Sequence, residues 1–329
     1  MKNKTKLILF TVIIFLMSII AVNKREILLT NNVFAKNISL SKKTVSKTKK
    51  TSAKKGKNLK SNLNKKPATD NKNNLSKITV TEVKVTDDMK YANESKVKTG
   101  VAKLYTYNGL NPKGKTVCVN AGHGSVKSSK AYTFCNPLHK AKFISATTSA
   151  GKTKSVAASM GTTMINGASE GDANLEVALG LRDKLLSNGY NVLMIRETKD
   201  TDLDNIARTV LANKYSDCHV SIHFDSTKSN KGAFCINVPD IPQYKEMEPV
   251  KSTWQLDDKL SKDIIQGLRN TNIKIYGNGL YPIDLTQTSY STVATTDIEL
   301  GDRITDYSKA SVDKFSDGIV NGLNIFFGK

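Results

Sequence analysis

An α/β fold, a single domain with a mostly parallel mixed sheet flanked by helices, is what residues 114–329 predict, on two observations. Short β-branched runs alternate with amphipathic stretches at helical spacing, the pattern of strand–helix–strand crossovers. Chemistry-bearing residues also fall where the strand runs stop, which is where ligands sit in such sheets.

The elements follow in order. TVCVNAGHG (116–124) is the first strand: Val117 and Val119 alternate with Cys118 and Asn120, and then Gly122 and Gly124 bracket His123. DANLEVALGLRDKLLSNG (172–189) is a helix, with Leu175, Ala178, Leu179, Leu185 and Leu186 on one stripe. Ser169, three residues before Asp172, marks its start, and Gly189 its end. YNVLMIRET (190–198) reads as a strand, and LDNIARTVLANKYSD (203–217) as a helix aligned on Ile206 and Val210. CHVSIHFDS (218–226) and GAFCINV (232–238) are further strands. QLDDKLSKDIIQGLRN (255–270) is a helix with Leu256, Leu260, Ile264 and Leu268 on one side. TTDIELGD (295–302) is a late strand and SVDKFSDGIVNGLNIFFG (311–328) a closing helix.

Upstream, the chain changes character. Lys2, Lys4 and Lys6 precede the uncharged apolar run LILFTVIIFLMSIIAV (7–22), and VFA (33–35) offers small residues at the positions a signal peptidase reads. Residues 1–35 are therefore expected to be a signal peptide or an N-terminal membrane anchor, and either places the rest outside the cytoplasm. The net charge of +21 is concentrated next: residues 36–77 hold fourteen lysines against Asp70 alone, leaving residues 78–329 near balance. With almost no large apolar side chains, this stretch reads as a disordered basic linker. A cationic tether outside a cell adheres to anionic wall polymers or a membrane surface, so no nucleic-acid partner is expected. Residues 78–113, beginning ITVTEVKVT, either add an edge strand or lead into the fold. Residues 125–168, rich in Ser, Thr, Lys and Gly, make a loop of unusual length, covering a site or forming a disordered insertion.

Cys118, Cys135, Cys218 and Cys235 are even in number, which permits disulfides in an exported chain. The domain is large enough to bury a core without them. Three of them lie in apolar strand runs and no CxxC spacing occurs, so free thiols are expected and a cysteine zinc site is not.

His123 and His223 both stand at strand ends, and such a pair points to a metal or acid/base site. His219 and His223 are four apart, but in an extended segment they stand about 13 Å from one another at roughly 3.3 Å per residue. His219 therefore reads as structural, and His139 lies in the long loop. Glu170, in the first helical turn, suits the helix dipole when viewed alone. Together with the two histidines it completes a two-histidine, one-carboxylate set, a catalytic zinc arrangement with an open fourth position. Glu299, near the end of a strand, would then move protons.

The order NAGHG, SEGDANLEVALGLRDKLLSNGYNVLMIRE, IARTVLANKYSDCHVSIHFDS, TDIELGD resembles the zinc-dependent N-acetylmuramoyl-L-alanine amidases of bacterial cell walls, over most of residues 114–329. The resemblance implies that His123, Glu170 and His223 bind one Zn2+ and that Glu299 is the catalytic glutamate. It makes 114–329 a catalytic domain, expected to be monomeric, that uses a zinc-bound water to cleave the amide between N-acetylmuramic acid and the L-alanine of the stem peptide of peptidoglycan. Glu176 lies in the same helix, but the spacing to NLEVAL favours Glu170. The chain departs from the family pattern at Asn120 and Ala121, where Asp and Pro are usual, and after IELG, where it has Asp302 and Arg303. The first change removes a carboxylate near the metal. Two other readings stand beside this one: a catalytically inactive wall-binding relative, and a zinc peptidase acting on the stem peptide.

Overall fold

The computed structural model describes residues 77–329; the expected signal or anchor and, apart from Lys77, the basic linker lie outside the described residues. Eight strands form the main sheet: β1 (Ile78–Val83), β2 (Ala102–Tyr107), β3 (Thr116–Ala121), β6 (Asn191–Met194), β7 (Cys218–Asp225), β8 (Ala233–Asn237), β9 (Ile275–Pro282) and β10 (Ala294–Asp302). A separate pair, β4 (Tyr132–Phe134) and β5 (Lys154–Val156), lies within the long loop. The helices are α1 (Glu170–Ser187), α2 (Asn205–Tyr215), α3 (Pro242–Lys245), α4 (Val250–Asn270), α5 (Thr286–Tyr290) and α6 (Lys309–Phe327).

The strand order is β1-β2-β6-β3-β7-β10-β8-β9. The central run β6-β3-β7-β10 is parallel, β8 pairs antiparallel with β10, and β9 runs parallel to β8. Residues 78–113 supply β1 and β2, an antiparallel extension on β6. A central parallel strand is covered on both faces and so must be apolar on both. β3 meets that demand, with five of its six residues buried.

On one face, Val119, Val220 and Ile298 pack under Leu181 and Leu185 of α1, Ile264 and Leu268 of α4, and Ile319 and Leu323 of α6. Each fully buried aliphatic side chain of this kind contributes about 1.5–3 kcal/mol. On the other face, Cys118 and Leu193 pack under Ala207 and Leu211 of α2. The Ser169 hydroxyl accepts from Asp172 N–H at 3.1 Å, so α1 begins where its cap residue predicts. All four cysteines are free and buried.

Leu256 departs from the predicted stripe and is half exposed, at 49%. At that turn of α4 it is Thr253 and Asp257 that are buried, and Asp257 Oδ1 accepts from Thr295 N–H of β10 at 2.8 Å. A backbone donor that must be satisfied outweighs one leucine. Among the described residues, no helix is long and apolar enough to cross a membrane.

Candidate active site

The parallel strands β3, β7 and β10 end side by side. His123 follows β3, His223 lies near the end of β7, and Glu299 of β10 is the direct cross-strand partner of His223. Glu170 opens α1, so its carboxylate reaches the same strand ends from a helix N-terminus. His123 Nε2 lies 2.8 Å from Glu170 Oε1, and His223 Nδ1 lies 3.1 Å from each of those atoms. These three residues form a group that could hold a metal ion.

Local structure explains the convergence. His123 takes a left-handed backbone conformation, φ 61°, costly for a side-chain-bearing residue. It is held there by a buried arginine, Arg208, whose guanidinium donates to His123 O at 2.7 Å. Arg196, also buried, donates to Ala121 O, Gly122 O and Gly171 O, tying the β3 end to α1. Gly122 is required by contact: a Cβ there would stand 2.1 Å from the His223 ring. Asn120 makes no hydrogen bond to the His123, Glu170 or His223 side chains. Its amide donates to Ser221 Oγ and its oxygen accepts from Arg208, so it belongs to a buried network beneath the site.

The long loop is ordered and reaches the centre. His123 Nδ1 donates to Ser159 O at 2.8 Å, which orients the ring with Nε2 facing Glu170. Thr162 N–H donates to Glu170 Oε2 at 2.9 Å. At Gly161, φ 77°, a Cβ would stand 2.6 Å from Glu170 Oε2. Sequence reasoning missed Ser159, Thr162, Arg196 and Arg208. Only the arginines leave a trace there, as cations inside otherwise apolar runs.

Charge follows geometry. Burial alone would raise the Glu170 carboxyl, but hydrogen bonds and charge from His123 and His223 outweigh it and hold it well below the usual carboxylate range. Burial disfavours a charged His223, yet the Glu170 hydrogen bond and the charges of Asp297, Glu170 and Glu299 raise its pKa to about 9. Burial pushes Glu299 up to about 8; His223 opposes, and the carboxylates of Glu170, Asp225 and Asp297 add to the rise. Asp297 is also raised, chiefly by burial. Glu299 Oε2 and Asp297 Oδ1 are buried with no hydrogen-bond partner.

The other histidines stand apart. His219 is wholly buried near the start of β7, and burial, aided by Arg208, lowers its pKa to about 3. His139 stacks on Phe134 and lies 3.1 Å from Glu94. Neither belongs to the cluster.

Fold and site together define a class: an α/β enzyme with a metal-competent, carboxylate-rich centre at the carboxyl ends of its parallel strands. The family described as N-acetylmuramoyl-L-alanine amidase matches residues 117–324, and the chain belongs to that family, whose members hydrolyse cell-wall peptidoglycan. Among solved structures, the chain is similar to the N-acetylmuramyl-L-alanine amidase of Mycobacterium smegmatis, with a TM-score of 0.54 at 19% identity, over 65% of this chain and 97% of that one. The apo enzyme of Mycobacterium abscessus gives 0.53 at 18%, over 65% and 98%. At such identity these two likenesses speak for the fold. A search of curated proteins finds no match.

Proposed function

We propose that this chain cleaves the amide between N-acetylmuramic acid and the L-alanine of the stem peptide, with one zinc ion held by His123, Glu170 and His223 and with Glu299 handling the proton. The observation that carries this reading is the convergence of His123 Nε2, Glu170 Oε1 and His223 Nδ1 beside a buried, unpartnered Glu299 Oε2. Three electron-pair donors facing one another within about 3 Å repel unless a cation or proton lies among them. Two imidazoles and a carboxylate are a zinc donor set. Zinc held there would supply Lewis acidity, polarising the scissile carbonyl and acidifying water.

The remaining work falls to the chain. Glu299 Oε2 takes a proton from the attacking water and returns it to the amide nitrogen as the carbon–nitrogen bond breaks. Burial raises its proton affinity above that of an exposed carboxylate, which suits a group that accepts a proton and passes it on. The products are the free lactyl carboxylate of the sugar and the free α-amino group of L-alanine. Ser159 and Thr162 hold His123 and Glu170 in place throughout.

The substrate lies outside the cytoplasm. Residues 1–35 serve in this reading as an export signal or anchor, residues 36–77 as a tether to anionic wall polymers or membrane, and the catalytic domain acts as a monomer. Mass spectrometry of digested peptidoglycan is the test: an amidase releases intact stem peptides from peptide-free glycan, with about one zinc per chain by elemental analysis. Cleavage within the stem peptide would establish a peptidase instead. No release at all from a zinc-loaded protein would leave a wall-binding relative.

A further inference from the structure

The row of site residues does not end at Glu299. Glu299 is the cross-strand partner of His223 on one side and of Phe234 on the other, so all three share one face of the sheet. Phe234 is buried beneath two tyrosines of the edge strand β9: the Tyr276 and Tyr281 rings each lie 5.7 Å from it, inclined at 57° and 55°. Both tyrosines are exposed, at 42% and 45%.

This pairing is built by a backbone irregularity. Residues 276 and 281 are five apart, and in a regular strand they would point to opposite faces. The β8–β9 register shifts between Ala233 and Cys235, and Gly277 and Gly279 take φ values of 53° and 92°. A Cβ on Gly277 would meet nothing within 4 Å, so there the backbone conformation, and not space, calls for glycine. The bulge turns both tyrosines onto Phe234, beside the catalytic row. Lys231 lies over the Phe234 and Tyr276 rings, at 4.7 and 5.0 Å, and is paired with Asp225 at 2.5 Å.

We propose that Tyr276 and Tyr281 form a stacking platform for the glycan strand of the substrate, one sugar or more beyond the N-acetylmuramic acid at the scissile amide. The proposal rests on the amidase reading above. A pyranose ring presents axial C–H bonds to the electron-rich face of an aromatic ring, and tyrosine adds a hydroxyl at its edge. The platform lies two strands from Glu299, about 10 Å at the usual strand spacing, a distance a neighbouring sugar of the same chain spans. A stem peptide would need free cations for its carboxylates, and Lys231, the cation that lies over the Phe234 and Tyr276 rings, is already paired with Asp225. The glycan is the part of the polymer this surface suits.

The test compares amidase kinetics on two substrates with the same peptide, one carrying a single sugar and one a disaccharide. Wild-type protein is expected to show a lower KM for the disaccharide by roughly five- to tenfold. The double variant Tyr276→Leu/Tyr281→Leu keeps apolar cover over Phe234 and should lose that advantage, whereas Tyr276→Phe/Tyr281→Phe should retain it. In parallel, a peptide-free N-acetylglucosamine tetramer should perturb tyrosine fluorescence in the wild type and not in the leucine variant. A wild-type KM indifferent to glycan length overturns the platform. So does an equal loss on both substrates, which would assign the tyrosines to the peptide, or a tyrosine-dependent dimer in sedimentation, which would make β9 an interface. If neither substrate is hydrolysed the amidase reading fails by itself, and the tetramer titration still decides whether the tyrosines bind sugar.

Discussion

On the side of the site built by β3, α1 and the long loop, the donor atoms are held by partners. His123 is oriented by Ser159, Glu170 by Thr162, and the backbone at His123 by Arg208. On the β10 side, Glu299 Oε2 and Asp297 Oδ1 are buried with no partner at all. In the proposed reaction the two halves face different demands. Residues that would hold a cation must converge in one geometry, and hydrogen bonds behind them provide it. A residue that moves a proton needs a free oxygen and a proton affinity above that of an exposed carboxylate, and burial without a partner provides both.

The largest expected effect tests the unpartnered half. Glu299→Gln should lower turnover by about 10²–10⁴-fold while zinc content and melting temperature hold. Muropeptide release measured beside elemental analysis checks it, and wild-type turnover would remove Glu299 from the chemistry. The next tests the ordered half. Gly122→Ala places a methyl 2.1 Å from the His223 ring, so zinc affinity should fall by roughly 10–100-fold, the usual cost of disturbing what orients a ligand. Competition with a chromogenic chelator reads this directly, and an unchanged affinity would show that the histidine ring tolerates displacement.

Arg208→Met probes the support beneath. It strips donors from His123 O, Ala121 O and Asn120 Oδ1 and should cost roughly 2–4 kcal/mol. Denaturant unfolding measures that loss; a value near zero would mean that His123 holds its left-handed conformation unaided.

The smallest effect sharpens the contrast with a buried acid that does have partners. Asp257 accepts from Thr295 N–H and Thr253 Oγ1, yet burial raises its pKa to about 8. Its proton is held more tightly in the folded chain than in the unfolded one. Its stability contribution is therefore full below about pH 4 and is lost as pH rises toward about 8. Asp257→Asn keeps an acceptor for Thr295 and removes this dependence. Its melting temperature relative to wild type should be higher at pH 8 than at pH 5, with zinc saturating. An equal difference at the two pH values would place the Asp257 titration outside that window.

Much of the fold was legible because its signals are local. Alternation marked β3 and β7, the cap residue Ser169 marked the start of α1, and strand ends singled out His123, His223 and Glu299. Glu170 was legible for the same reason, standing next to a recognisable cap. β9 escaped because IYGNGLYP breaks alternation with two glycines and a proline, and the bulge that matters there has no periodic signature. Ser159 and Thr162 escaped because a main-chain carbonyl or amide carries no residue-type signal. Leu256 misled because helical spacing says which residues share a face, and not which turn of that face is covered.

By itself, the sequence determined the alternation of strands and helices, the strand-end placement of the histidines and the position of an acid in the first turn of α1. These depend on contacts between residues a few positions apart. Tertiary structure alone decided that His123 meets Glu170 across 47 residues and His223 across 100. It also decided that two arginines, one of them bonded to Asn120, and the long loop orient the site residues, and that Glu299 Oε2 is left without a partner. Packing at long range selects those relations, and no local pattern records them.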